Sequence, residues 1–284
     1  KAMGKKERIL IYGDYDVDGI TSITVLKSFL KDLGLETSIY IPNRLEEGYG
    51  LNKKAIDKIA QDGCDLMITV DCGISAIEEI EYANFLGIET IVTDHHEPTN
   101  ELPNAIAVID NKRKDSKYPF RELAGVGVVF KVIQALGIKL GLEEETYLKY
   151  LDIVCIGTIS DIVPLVDENR VIAKLGLMLV KQTRNIGLKS IINSSGYTKI
   201  DSNTISFGVA PRINACGRMG KAQEALELLL STNINEVNIL TKKLNEHNRQ
   251  RQETEKAIFE SAINKIQNEH LDNCLLYTSP SPRD

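Results

Sequence analysis

Between Arg8 and Ile109 the chain alternates short apolar runs with segments of helical periodicity, and this alternation constrains the fold more than any other feature. Arg8–Tyr12, Thr37–Ile41, Asp65–Val70, Ile88–Thr93 and Ala105–Ile109 read as strands. Between them lie helical patterns: Ile20–Leu33, closed by Gly34; Asn52–Ala60, with Asn52 as N-cap; and Ala76–Leu86, capped by Ser75 and stopped by Gly87. Strands alternating with helices imply right-handed crossovers. The expected fold is therefore α/β, a doubly wound, mainly parallel sheet with helices on both faces.

From Gly125 the pattern turns helical, over Val126–Leu136, Glu144–Ile159, Asn169–Lys181 and Leu188–Asn193. Gly196–Gly220 is rich in Gly, Ser and Asn and reads as irregular; Ala222–Leu230 is again helical, and Asn235–Glu269 is a long, charged connecting helix. A composition of 43% hydrophobic and 26% charged residues is ordinary for a globular chain. No apolar run approaches the ~20 residues of a membrane span, so no membrane partner is expected. Five cysteines without a C-x-x-C pair fit neither a disulfide framework nor a zinc site; reduced thiols in a cytoplasm are the expectation. Trp is absent, which leaves base stacking to Tyr, Phe, His or Arg.

The chemistry lies just past the strands. Gly13-Asp14-Tyr15-Asp16-Val17-Asp18-Gly19 follows the first, Asp71 the third, Asp94-His95-His96 the fourth and Asp110 the fifth. In open α/β sheets the carboxyl ends of the strands form the ligand crevice. Carboxylates gathered there repel one another and need protons or a cation. Carboxylates with imidazole and no thiolate fit Mn²⁺ or Mg²⁺, and several carboxylates suit two ions, a phosphoryl-transfer arrangement. Two divalent ions would take the net charge of −6 to about −2. So an acidic chain, unlike a basic coat protein, can still meet nucleic acid through metal. Taken singly, these features have plainer readings. Asp14-x-Asp-x-Asp could be a calcium loop, although Val25 stands where its bidentate Glu belongs. It could equally be an acidic helix cap, the two histidines could be core residues, and Cys72 reads as a small buried filler.

YGDYDVDGITS (Tyr12–Ser22), TVDCGIS (Thr69–Ser75), TDHHEP (Thr93–Pro98) and GTISDIVPL (Gly157–Leu165) resemble the ordered motifs of the DHH phosphoesterase superfamily. NRLEEGYGL (Asn43–Leu51), LAGVGVVFKV (Leu123–Val132) and FGVAPRINACGRMG (Phe207–Gly220) narrow the resemblance to the RecJ family of single-stranded-DNA-specific exonucleases, from about Ile9 to about Leu271. The resemblance implies Asp16, Asp18, Asp71, His95 and Asp161 as ligands of two Mn²⁺ or Mg²⁺ ions, with Asp71 bridging them. It places His96 beside the scissile phosphate and Asp14 as ligand or support. Some relatives carry His where Tyr12 stands, and phenol is a poor replacement ligand. Arg212, Asn214 and Arg218 resemble a phosphate-contacting loop, where arginine forks suit phosphate and Gly208, Gly217 and Gly220 admit close backbone approach. An ordinary surface loop is the alternative. Tyr49 reads as a base-stacking ring or as the incidental tyrosine of a tight turn.

The implied activity is 5′ to 3′ hydrolysis of single-stranded DNA in repair and recombination, with a single-strand binding protein as expected partner. The expected organisation is a DHH domain with helical extension over 1–195, a phosphate-binding loop and short helix over 196–234, and a helix over 235–272 leading toward a DHHA1 domain. The Ser/Pro-rich residues 273–284 read as a disordered or non-native tail, and the chain reads as a piece of a longer protein. Two rivals are a DHH nuclease for short RNAs or cyclic dinucleotides and a non-catalytic module on the same fold.

Overall fold

A computed structural model describes residues 2–268. A short helix, α1 (Ala2–Lys5), precedes five strands: β1 (Ile9–Gly13), β2 (Thr37–Tyr40), β3 (Leu66–Val70), β4 (Glu89–Asp94) and β5 (Ala107–Asp110). All pair in parallel, in the order β2-β1-β3-β4-β5. The order reverses at β1, whose neighbours are β2 on one side and β3 on the other. This switch point is where a crevice opens outside the strands' carboxyl ends. Register aligns those ends: Gly13 lies opposite Val70, Val70 opposite Thr93, and Asp94 opposite Asp110.

Alternation along each strand feeds two cores. Leu10, Tyr12, Met67 and Val92 pack beneath α3 (Lys53–Gln61) and α4 (Ile77–Phe85). Ile11 and Val70 face the larger core with α2 (Val17–Asp32) and α5 (Gly125–Leu140). Burial on both faces explains why the strands read as nearly continuous apolar runs. The expected doubly wound parallel sheet is present. Beyond it, α6 (Glu145–Leu148), α7 (Leu151–Ser160), α8 (Asp167–Val180), α9 (Ile186–Ser194), α10 (Ala210–Arg218), α11 (Ala222–Leu230) and α12 (Ile234–Asn268) build a helical layer. Among the described residues, no helix is long and apolar enough to cross a membrane.

Four local expectations need correction. The second helix starts at Val17, not Ile20, because the Asp16 carboxylate accepts the Gly19 amide at 3.0 Å and draws Asp18 into the first turn. Ser75 does not cap α4; Ala76 stands at that position without a side-chain bond. The single helix expected over Glu144–Ile159 is broken at Lys149–Tyr150, where Lys149 Nζ and Tyr150 Oη both reach Asp32 Oδ2 at 2.5 Å and pin the break to α2. The irregular loop expected over Gly196–Gly220 contains a π-helical turn (Thr204–Val209) that runs straight into α10. There a Cβ on Gly217 would lie 2.4 Å from the Tyr15 carbonyl oxygen, so this glycine serves helix-to-loop packing, not chain flexibility. The last residues of the expected 235–272 helix, and the tail at 273–284, lie outside the described residues.

Candidate metal centre

Each acidic side chain is aimed by the element that carries it. Asp18, in the first turn of α2, accepts the Gly125 and Val126 amides at 2.6 and 2.8 Å. Its carboxylate thus satisfies the free N–H groups and positive end of α5. Asp71 follows β3 with a φ of 58°, in the left-handed region that Asp tolerates better than most residues. Its carboxylate packs against Gly125, where a Cβ would lie 2.6 Å from Asp71 Oδ1. Asp161 terminates α7. Asp94 closes β4: Oδ2 accepts the Ile74 amide at 2.9 Å, and Oδ1 meets the His95 amide and His96 Nδ1, both at 2.7 Å.

The two histidines are thereby given different tasks. His95 Nε2 lies 3.2 Å from Asp71 Oδ1 and 3.7 Å from both Asp18 Oδ2 and Asp161 Oδ2. Burial holds its pKa below the usual imidazole value despite Asp161, so the ring is neutral and able to ligate. His96 is raised instead, mainly by its hydrogen bond to Asp94, and its Nε2 is 3.4 Å from Tyr49 Oη. Asp94 pays for none of this in protonation: burial opposes its charge, but the His96 hydrogen bond and backbone amides outweigh that and hold its pKa low.

Among the described residues, three groupings place their donor atoms within 4.8 Å of one another: Asp14, Asp16 and Asp71; Asp71, His95 and His96; and Asp18, His95 and Asp161. Asp71 is common to the first two and His95 to the last two. Burial, then Asp16, pushes Asp14 up to about 7. Burial and Asp16 likewise push Asp18 to about 7 against its two amide hydrogen bonds. Burial and Asp18 do the same for Asp161, to about 7, and raise Asp71 well above the carboxylate range. Among the described residues, Asp14 Oδ1 and Asp71 Oδ1 are buried and form no hydrogen bond, although His95 Nε2 stands 3.2 Å from the latter. Orphaned oxygens on mutually repelling carboxylates, with imidazole and no thiolate donor, fit hard divalent cations such as Mn²⁺ and Mg²⁺. Asp110, at the same sheet edge, belongs to none of the three groupings: its Oδ1 accepts the Lys112 amide at 2.7 Å.

The other expected site residues divide. Tyr49 lies at the centre, its Oη 3.4 Å from both His96 Nε2 and the Asp71 carbonyl. Arg218 lines a groove of about 600 Å³ with Asn214, Arg251 and exposed Phe207, among others; Ser160 and Ile162, on either side of Asp161, also line it. Arg212 is committed to protein contacts: its guanidinium meets Asn245 Oδ1 at 2.7 Å and the Gly208 and Ser194 carbonyls, tying α10 to α12. Asn214 Oδ1 accepts the Val17 amide at 3.1 Å and so holds the start of α2. Tyr12 is buried in the opposite core, stacked on Tyr40 at 5.3 Å, with its hydroxyl donating to the Gly50 carbonyl at 2.9 Å. It braces the Tyr49 loop rather than facing the carboxylates. Sequence reasoning passed over Arg44, whose Cζ sits 5.4 Å from the Tyr15 ring centroid and whose charge opposes the rise of Asp14. Its signal was its place in the Asn43–Leu51 motif. Cys72 is buried, as a filler should be.

The family model for the DHH family, N-terminal domain, matches residues 8–158. The single-stranded-DNA-specific exonuclease RecJ of Bacillus subtilis is 44% identical over 275 residues, 96% of this chain and 34% of that protein. RecJ of Escherichia coli is 36% identical over 264 residues, 88% of this chain and 46% of that one. The chain therefore spans between about a third and a half of these relatives. Among solved structures, the exonuclease RecJ bound to manganese is 36% identical with a TM-score of 0.86, covering 92% of this chain and 66% of that one. RecJ of Thermus thermophilus in complex with Mn²⁺ has a TM-score of 0.81 at 34% identity, over 92% of this chain and 38% of that one.

Proposed function

The chain belongs to the DHH family, and from that premise we propose that it carries the metal-dependent phosphodiesterase site of a single-stranded-DNA-specific 5′ to 3′ exonuclease. The observation that carries this reading is the sharing of Asp71 and His95 among three adjoining donor groups. Asp16, Asp18, Asp71, His95 and Asp161 would hold Mn²⁺ or Mg²⁺, two ions in this reading, with Asp71 as their common ligand and Asp14 completing the acidic wall. The relatives of known structure that bind manganese support the choice of ion. Divalent ions at such a site lower the pKa of a water toward neutrality and offset charge developing on phosphate oxygens.

The chain's own residues supply orientation and protons. Asp94 fixes the His96 ring through Nδ1, leaving Nε2 toward the site, where a protonated ring donates to a phosphate oxygen. Tyr49 flanks that nitrogen and offers its ring for a terminal base to stack on. Arg218 meets the backbone from the α10 side, while Arg212 and Asn214 act by holding α10 and α2 in place. A single-strand binding protein as partner, a cytoplasmic location and a role in repair belong to the longer enzyme and rest on the resemblance to RecJ.

Incubating the chain with Mn²⁺ and, separately, 5′-labelled single-stranded DNA, RNA dinucleotides and cyclic dinucleotides tests the proposal. Cleavage of the DNA strand, abolished by Asp71→Asn, is expected. Preferential cleavage of RNA dinucleotides or cyclic dinucleotides would replace it with the rival enzyme reading, and no cleavage of any substrate would favour the non-catalytic one.

A further inference from the structure

The segment joining β5 to α5, residues 111–124, carries five cations (Lys112, Arg113, Lys114, Lys117 and Arg121) and two carboxylates (Asp115 and Glu122) in a chain of net charge −6. It is a braced loop. Asn111 Nδ2 donates to the Phe120 carbonyl at 3.1 Å and closes the two ends on each other. Arg121 donates to the Lys112 and Arg113 carbonyls, and Arg113 to the Val108 carbonyl. Tyr118 Oη ties the loop to Glu168 at 2.6 Å. Its cations are therefore presented from a held backbone, which lowers the ordering entropy of binding.

The loop begins at the metal centre. Asp110, whose carboxylate accepts the Lys112 amide, pairs with Asp94 across the sheet. Lys112 Nζ lies 3.7 Å from Glu97, the residue after His96, and its charge opposes protonation of His95. Farther out, Lys114 and Lys117 are exposed and form no ion pair among the described residues. The contrast is α12, where Arg249, Arg251 and Lys256 are each matched by a glutamate on the same helix. Unneutralised charge beside a phosphodiesterase centre raises the local concentration of a polyanion.

Resting on the strand-hydrolysis reading above, we infer that residues 112–121 form a second contact surface for the phosphodiester backbone. It engages phosphates beyond the nucleotide being cleaved, on the β5 side of the metal centre. Arg218 and α10 approach from the other side, where Gly217 meets the β1 loop at Tyr15.

The test is charge reversal, Lys114→Glu with Lys117→Glu, in the full 284-residue chain. The control pair is Lys31→Glu with Lys139→Glu, the same charge change in the last turns of α2 and α5, far from the α5 start that holds Asp18. Binding of a long phosphorothioate oligodeoxynucleotide is followed by fluorescence anisotropy across a salt series. Two lost phosphate contacts should flatten the log–log salt slope by about 1.4 and weaken binding at low salt at least about tenfold. Melting temperature and calorimetric Mn²⁺ affinity should stay at the wild-type value, and the control pair should bind the strand as wild type does. Unchanged strand affinity in the Lys114/Lys117 variant, or an equal loss in the control pair, overturns the inference. Failure of the wild-type chain to cleave single-stranded DNA with Mn²⁺ is a separate result: it removes the hydrolysis reading and leaves the binding comparison to decide the surface.

Discussion

The Gly125 amide donates to Asp18 Oδ2 at 2.6 Å, joining the start of α5 to the start of α2 across 107 positions of sequence. The same glycine is the wall against which the Asp71 carboxylate packs. One small residue thus sets the separation of two carboxylates proposed as metal ligands.

Gly125→Ala should therefore damage the site more than the fold. A methyl group 2.6 Å from Asp71 Oδ1 forces that carboxylate or the α5 start to move. Overpacking of this kind costs ~1–3 kcal/mol. Calorimetry should show Mn²⁺ affinity falling by at least about tenfold, with a far-UV spectrum like wild type. Wild-type affinity in the variant would mean that α5 does not set the metal geometry.

Asn214→Ala separates holding from substrate contact. Losing the acceptor for the Val17 amide should cost ~1 kcal/mol of stability and loosen the turn that carries Asp16 and Asp18. Weaker Mn²⁺ binding and a lower kcat are expected, with KM for DNA nearly constant. A rise in KM alone, at wild-type metal affinity, would instead assign Asn214 to the substrate.

Asp71→Asn keeps a side chain that tolerates the left-handed backbone at this position, and removes a buried charge surrounded by others. The metal-free variant should melt no lower than wild type, whereas hydrolysis should fall by several orders of magnitude. Thermal unfolding with and without Mn²⁺ reads both: the stabilisation that Mn²⁺ confers on the wild-type chain should disappear. Substantial activity in this variant would remove Asp71 from the shared position.

Asp14, Asp18 and Asp161 are each displaced from an ordinary value of 3.8 to about 7 in the folded chain. Between those values the folded state holds more protons than the unfolded one, so stability falls as pH rises through that window. Without metal, the melting temperature should decline across this range, each unit of displacement at one group being worth ~1.4 kcal/mol. Bound cations replace the protons, so the rise in melting temperature on adding Mn²⁺ should grow with pH up to about 7 and then level off. A Mn²⁺ effect that does not change with pH would show that these carboxylates do not bind the ion.

The sheet and most of the acidic edge were legible in the sequence because both are local. Apolar runs between helical patterns define parallel strands, and in a parallel sheet every strand ends at the same edge. Asp14, Asp16, Asp18, Asp71 and His95 could therefore be gathered by position alone, without knowing the strand order. Asp161 follows a helix, not a strand, and only the resemblance pointed to it. What tertiary structure decided has no local pattern. Gly217 looked like a loop residue and is a packing contact inside a helix, because its reason for being glycine is Tyr15, some two hundred positions away. The sequence pattern points to Arg212 and Asn214 as phosphate contacts, and nothing in it shows that Arg212 also ties α10 to α12 or that Asn214 also accepts the Val17 amide; nor does it show that the Tyr12 hydroxyl donates to the Gly50 carbonyl. A side chain's hydrogen-bond partner depends on which distant backbone group is left without one, such as the Val17 amide at the start of α2 or the Gly50 carbonyl in a loop. Those unpaired groups exist only once the helices and strands have packed.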